Sequence, residues 1–134
     1  MKIAVLIARI LLGLLFAVFG LNGFLHFIPQ QPLPTGLAGQ YVGALFVSHY
    51  LVVVFLLELI GGLLLLANRF VPLALVLLGP VIVNILLFHA CLAPEGLPMA
   101  LFATVLWFVV FAGVRSAFAG VFAQKVEVSQ KLEA

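Results

Sequence analysis

The chain has 134 residues, 66% of them hydrophobic and 7% charged, with a mean hydropathy of +1.41. A soluble domain carries about 25% charged residues, so these values exclude a soluble globular protein and put most of the chain in lipid. The formal net charge of +2 is too small to point to nucleic acid, and a lone cysteine, Cys91, without a CxxC argues against a self-contained thiol–disulfide oxidoreductase.

A bilayer core about 30 Å thick takes roughly 20 helical residues per crossing. Four spans with short connections therefore use up the chain, which leaves a single transmembrane domain. The first predicted span covers about 3–27. Lys2 precedes it as in a secretory signal, but the apolar run exceeds the 7–15 residues of a signal core and no cleavage site follows, so the helix is expected to be retained. Arg9 lies about two turns inside, and Asn22 and His26 are four apart and share a helix face. The segment Ile28 to Gln40 has three prolines, two glycines and no charge, and reads as a loop that lies in the interface or folds back among the helices.

The second span is expected over about 41–67, with Tyr41 and Tyr50 near one end as interfacial aromatics and His49 within it. Its stretch from Leu51 to Arg69 is almost wholly apolar except for Glu58. A charged side chain at the centre of a span costs about 2.5–3.5 kcal/mol on insertion scales, so it faces protein or water and has a partner. Gly61 and Gly62 follow and predict a close helix crossing beside it. The short connection containing Arg69 makes spans two and three antiparallel neighbours.

Span three runs from about 72 to 91, with Gly79-Pro80 expected to kink it and Asn84 and His89 beyond the kink. Span four covers about 99–122, rich in phenylalanine, and a polar tail over 123–134 is either a short helix extension or a disordered end. Lys2, Arg9, Arg69, Arg115, Lys125 and Lys131 all map to one side, and the two loops on the other side hold no Lys or Arg. That asymmetry predicts an all-α, integral membrane four-helix bundle with both termini cytoplasmic, multi-pass in a bacterial inner membrane. The pairs Asn22…His26 and Asn84…His89 hint at two hairpins related by a pseudo-twofold axis.

The candidate site residues are the polar groups within the spans: Arg9, Asn22, His26, His49, Glu58, Asn84 and His89. Arg9 and Glu58 fall at depths that differ by about 5 Å. They read either as a structural ion pair or as a proton-handling or ligand-anchoring carboxylate with Arg9 turned to the surface. The histidines have no HxxxH or similar ligand spacing, so no metal or haem site is expected and the residues name no cofactor. They serve interhelical hydrogen bonds or line a cavity for a quinone or a lipid headgroup. Cys91 is expected to be buried and inert.

Three stretches carry a family resemblance: RILLGLLFAVFGLNGF (Arg9–Phe24), ELIGGLLLLANRFVPLA (Glu58–Ala74) and the span holding Asn84 and His89. Over about four fifths of its length the chain resembles the DoxX family of small bacterial membrane proteins. The resemblance implies a four-span bundle in which Arg9, Gly13 and Glu58 define the packing and contact a ligand. The family name comes from a subunit of a thiosulfate:quinone oxidoreductase. It implies an accessory subunit of a membrane redox or quinone-linked assembly, with the bilayer, membrane protein partners or a second copy as its contacts. A membrane chaperone or assembly factor without redox chemistry is the alternative.

Overall fold

The computed structural model describes residues 1–128, so Lys131, Glu133 and the rest of the expected tail over 129–134 lie outside the described residues. Helix α1 spans Lys2–Leu25, α2 Gly36–Val47, α3 Tyr50–Leu66, α4 Val71–Cys91 and α5 Leu97–Val114. A 3-10 turn at Pro94–Gly96 leads into α5, and a longer 3-10 segment, Arg115–Phe122, leaves it. No strand occurs among the described residues.

Three helical stretches are long and apolar enough to cross a membrane, and α2 with α3 makes a fourth if the pair counts as one span. These are the dimensions of a multi-pass membrane protein. The outer surface agrees: Leu14, Phe19, Val53, Leu63, Val76 and Phe108 are among the many large apolar side chains left exposed. Such a surface suits hydrocarbon, while a second apolar set, including Leu12, Phe16, Leu65, Leu75, Leu78 and Val110, forms the interior.

The packing begins with α1 and α3. A Cβ placed on Gly62 would lie 2.4 Å from the Ala17 nitrogen, and one on Gly20 would lie 2.6 Å from the Leu59 nitrogen. The two backbones are thus in direct contact, as small residues allow when no hydrophobic effect drives helices together in lipid. Gly61 faces the other way and receives Leu78 of α4. Helix α3 is therefore held between α1 and α4, which is the close crossing expected beside Glu58. Helix α5 packs on both α1 and α4, and Trp107 fixes it by donating its indole N–H to the Leu75 carbonyl of α4 at 3.0 Å. The start of α1 meets the end of α5, where Val5 lies against Gly113.

The second expected span is not one helix. The chain is already helical from Gly36, within the expected loop, and α2 meets α3 at 84°. The break falls at Ser48-His49. His49 adopts φ 61°, in the left-handed region, which a non-glycine residue enters only with a local reason. Ser48 supplies one: its hydroxyl donates to the Leu45 carbonyl and accepts from the Tyr50 backbone N–H, both at 3.3 Å. The fourth span also stops early, with α-helix ending at Val114 and 3-10 geometry beyond it; Phe118 then folds back on Phe111 with ring centroids 5.1 Å apart. Residues 123–128 are not helical, so no helix extension forms over that part of the tail. Helix α4 runs through Pro80 to Cys91 as one element, and Cys91, its last residue, is exposed rather than buried.

Candidate functional site: a cavity around Glu58

A cavity of about 570 Å³ opens at the end of the molecule where α1 finishes and α5 begins. That volume falls in the range of small-molecule sites, about 300–1,000 Å³. Every element reaching that end contributes to it. From α1 come Phe16, Phe19, Asn22 and His26; from the following segment Gln30, Gln31 and Leu33; from α2 Val42 and Phe46. Helix α3 adds Phe55 and Glu58, α4 adds Ile85 and His89, and α5 adds Met99, Ala100 and Ala103.

Glu58 is the acidic residue of the lining. It is 8% exposed, and it is the one charged residue among the buried ones described. No hydrogen bond or ion pair reaches its carboxyl from the described residues, yet no buried side-chain oxygen or nitrogen lacks a partner. The carboxyl oxygens must therefore border open space, and the open space beside Glu58 is the cavity. A buried polar group left without a partner is costly, so such a group in a native protein calls for a specific explanation.

The mouth is built by local bonding. His26 ends α1 in a left-handed conformation with φ 52°, and its N–H donates to the Asn22 carbonyl at 2.9 Å. Asn22 turns its side-chain oxygen to the Ile28 N–H at 2.8 Å. This pins the start of the proline-rich segment and swings Gln30 and Gln31 over the cavity. The Gln30 side-chain nitrogen lies 3.2 Å from Nδ1 of His26. Across the opening, Nδ1 of His89 lies 2.9 Å from the Ala93 carbonyl. A carbonyl only accepts, so Nδ1 is the donor in this bond. Gly96 lets that imidazole come close to the backbone, since a Cβ there would come within 2.1 Å of the ring. Helix α2 closes one side, with Tyr41 stacked on Phe88 of α4 at 5.7 Å.

Four of the seven sequence candidates thus share one cavity: Asn22, His26, Glu58 and His89. The other three are elsewhere. Arg9 donates from its guanidinium to the Leu65 carbonyl near the end of α3 rather than to Glu58. Seven residues of helix, about 10 Å, separate Glu58 from Leu65. The Leu65 carbonyl, in the last turn of α3, also accepts the Asn68 N–H at 3.2 Å, and Arg9 adds a charged donor to its second lone pair. His49 is exposed at the α2–α3 break. Asn84 is exposed on α4 and donates to the Pro80 carbonyl at 2.9 Å, within its own helix. The two Asn…His pairs therefore make unlike contacts, and the expected twofold echo has no counterpart in their bonding. No group of three metal-ligating side chains occurs among the described residues.

Sequence reasoning missed the cavity's aromatic wall, Phe16, Phe19, Phe46 and Phe55, and the glutamine pair at its mouth. The glutamines left a signal, two amides set between prolines in an uncharged segment. The phenylalanines left none, because this chain has thirteen of them.

The chain matches no protein-family model, no curated protein and no solved structure.

Proposed function

We propose that this is a DoxX-like four-helix bundle of a bacterial inner membrane, with both termini cytoplasmic. Its role is that of an accessory subunit in a redox or quinone-linked assembly, holding a small amphiphilic molecule in the cavity beside Glu58. The observation that carries the reading is the partnerless carboxyl of Glu58 in a largely apolar cavity of ligand size that also holds Asn22, His26, Gln30, Gln31 and His89. Convergent polar groups at one end of an apolar cleft are the usual make-up of a small-molecule site.

A quinone head fits these residues. It offers two ring oxygens at opposite ends of a flat apolar ring. The Asn22 amide, the His26 ring, Gln30 and Glu58 all line the cavity. A carboxyl group donates when protonated and accepts when ionised, so Glu58 can meet either the oxidised or the reduced head. The phenylalanines flank the ring and exclude water. A bound quinone would supply two-electron carrier chemistry; this chain's part is to seat the head, orient it and hold a proton at the Glu58 carboxyl. The orientation rests on the charges: Lys2, Arg69 and Arg115 lie on the connections or helix ends opposite the cavity mouth, as cytoplasmic Lys and Arg would.

Native mass spectrometry of the protein from mild detergent, with a short-chain ubiquinone added, tests the ligand. One quinone retained per chain is expected, with loss in Ala103→Phe, which fills the cavity. A wild-type protein that retains none under saturating quinone refutes the reading. A reporter fused after Ala134 tests the topology: it must be active in the cytoplasm, and periplasmic activity overturns the orientation.

A further inference from the structure

We propose that the Glu58 cavity is also a binding site for hydrophobic monocations, the class of lipophilic amines, quaternary ammonium and phosphonium ions. The proposal is independent of the quinone reading, although the two ligands would compete for one space. Three observations carry it.

The first is the charge count. Glu58 is more than nine-tenths buried and borders the cavity without a partner. Among the described residues, no Lys or Arg lines that cavity. Arg9, the nearest basic residue by depth, is committed to the Leu65 carbonyl. An ionised carboxylate here has no counter-ion from the described chain, and a charge buried in a low-dielectric site has to be paired. A ligand with a single positive charge completes it, while an anionic ligand would meet a like charge.

The second is the wall. Phe16, Phe19, Phe46 and Phe55 line the same cavity as Glu58. Aromatic faces attract cations through the ring quadrupole and most strongly where water is excluded. The same rings accept the hydrocarbon part of an amphiphile, so charge and apolar body are recognised together.

The third is access. The mouth is formed by uncharged or weakly basic groups, Asn22, Gln30, Gln31 and the two histidines. One ring nitrogen of each histidine, Nδ1, already bonds, to Gln30 and to the Ala93 carbonyl. Glu58 lies about two turns into α3 from its start at Tyr50 and not at the rim, so a strongly hydrated small cation has no ligand set to replace its water. Glu58 alone offers carboxylate oxygens there, and a hydrophobic cation that sheds little water is preferred.

The test uses purified full-length protein in maltoside detergent and equilibrium dialysis with radiolabelled tetraphenylphosphonium. Triphenylphosphine oxide serves as the neutral analogue. Saturable binding of one cation per chain is expected, at least tenfold tighter than the neutral analogue. Glu58→Gln should remove that preference while the neutral analogue still binds; Glu58→Asp should keep part of it. Unfolding midpoints of both variants check that they are folded. Equal affinity of wild-type protein for the cation and the neutral analogue overturns the proposal whatever the variants do. So does cation binding unchanged in a folded Glu58→Gln protein. Short-chain ubiquinone is titrated in parallel: quinone binding without cation preference sinks this proposal alone, and cation preference without quinone binding sinks the quinone reading alone.

Discussion

Replacing Gly62 by alanine adds one methyl group where α1 and α3 touch. The new Cβ would lie 2.4 Å from the Ala17 nitrogen, 2.8 Å from the Gly13 carbonyl oxygen and 2.9 Å from the Ala17 Cα. All three are backbone atoms, so no side-chain rotation relieves the clash. Ordinary contact starts near 3.4 Å, so the two helices must part by about 1 Å at the crossing. Overpacking of this kind costs about 1–3 kcal/mol. Gly79 on α4 is the internal control, because a Cβ there would meet only Trp107, at 3.8 Å. Alanine is better than glycine in a helix interior by about 0.8–1.0 kcal/mol in water, so Gly79→Ala should be neutral or stabilising. The assay is unfolding in mixed micelles as the fraction of SDS rises, followed by loss of helical circular dichroism. Gly62→Ala should unfold at clearly lower SDS than wild type and Gly79→Ala at the same or higher SDS. Equal midpoints for the two variants would refute the backbone contact between α1 and α3.

Other variants probe single contacts in the same assay. Arg9→Leu and Glu58→Gln should be additive within about 0.3–0.5 kcal/mol, since the two residues have different partners; a larger coupling would mean that they pair. Trp107→Phe keeps the ring stacked on Phe111 but loses the bond to the Leu75 carbonyl. A loss of about 0.6 kcal/mol is expected, the mean for a hydrogen bond between membrane helices; no change would argue that the indole N–H is not engaged. At His49, glycine should be tolerated because φ is positive. Valine should be less stable than the glycine variant by about 1–2 kcal/mol, the penalty of a left-handed residue with a Cβ. A valine variant as stable as the glycine one would remove the break between α2 and α3.

Much of this protein is determined by local properties that a sequence displays directly. Hydropathy and run length place α1, α4 and α5, because a segment that must satisfy its own backbone in lipid has to be helical. Proline and glycine mark the segment after α1, and Gly61-Gly62 announces a close crossing. The single carboxylate at Glu58 stands out because such a group is expensive in a span. Tertiary structure decided the rest. The bend at Ser48-His49 carries no glycine or proline; it depends on a hydroxyl reaching two backbone groups. Arg9 bonds to a backbone carbonyl, a partner that every residue possesses and that no side-chain pattern reveals. Asn22 and Asn84 look alike as letters, yet one holds the cavity's rim and the other bonds back to its own helix, because helix rotation sets which face meets a neighbour. Convergence at Glu58 is likewise a three-dimensional fact: its cavity is assembled from six separate stretches of chain, and their meeting follows from how α1, α3, α4 and α5 pack.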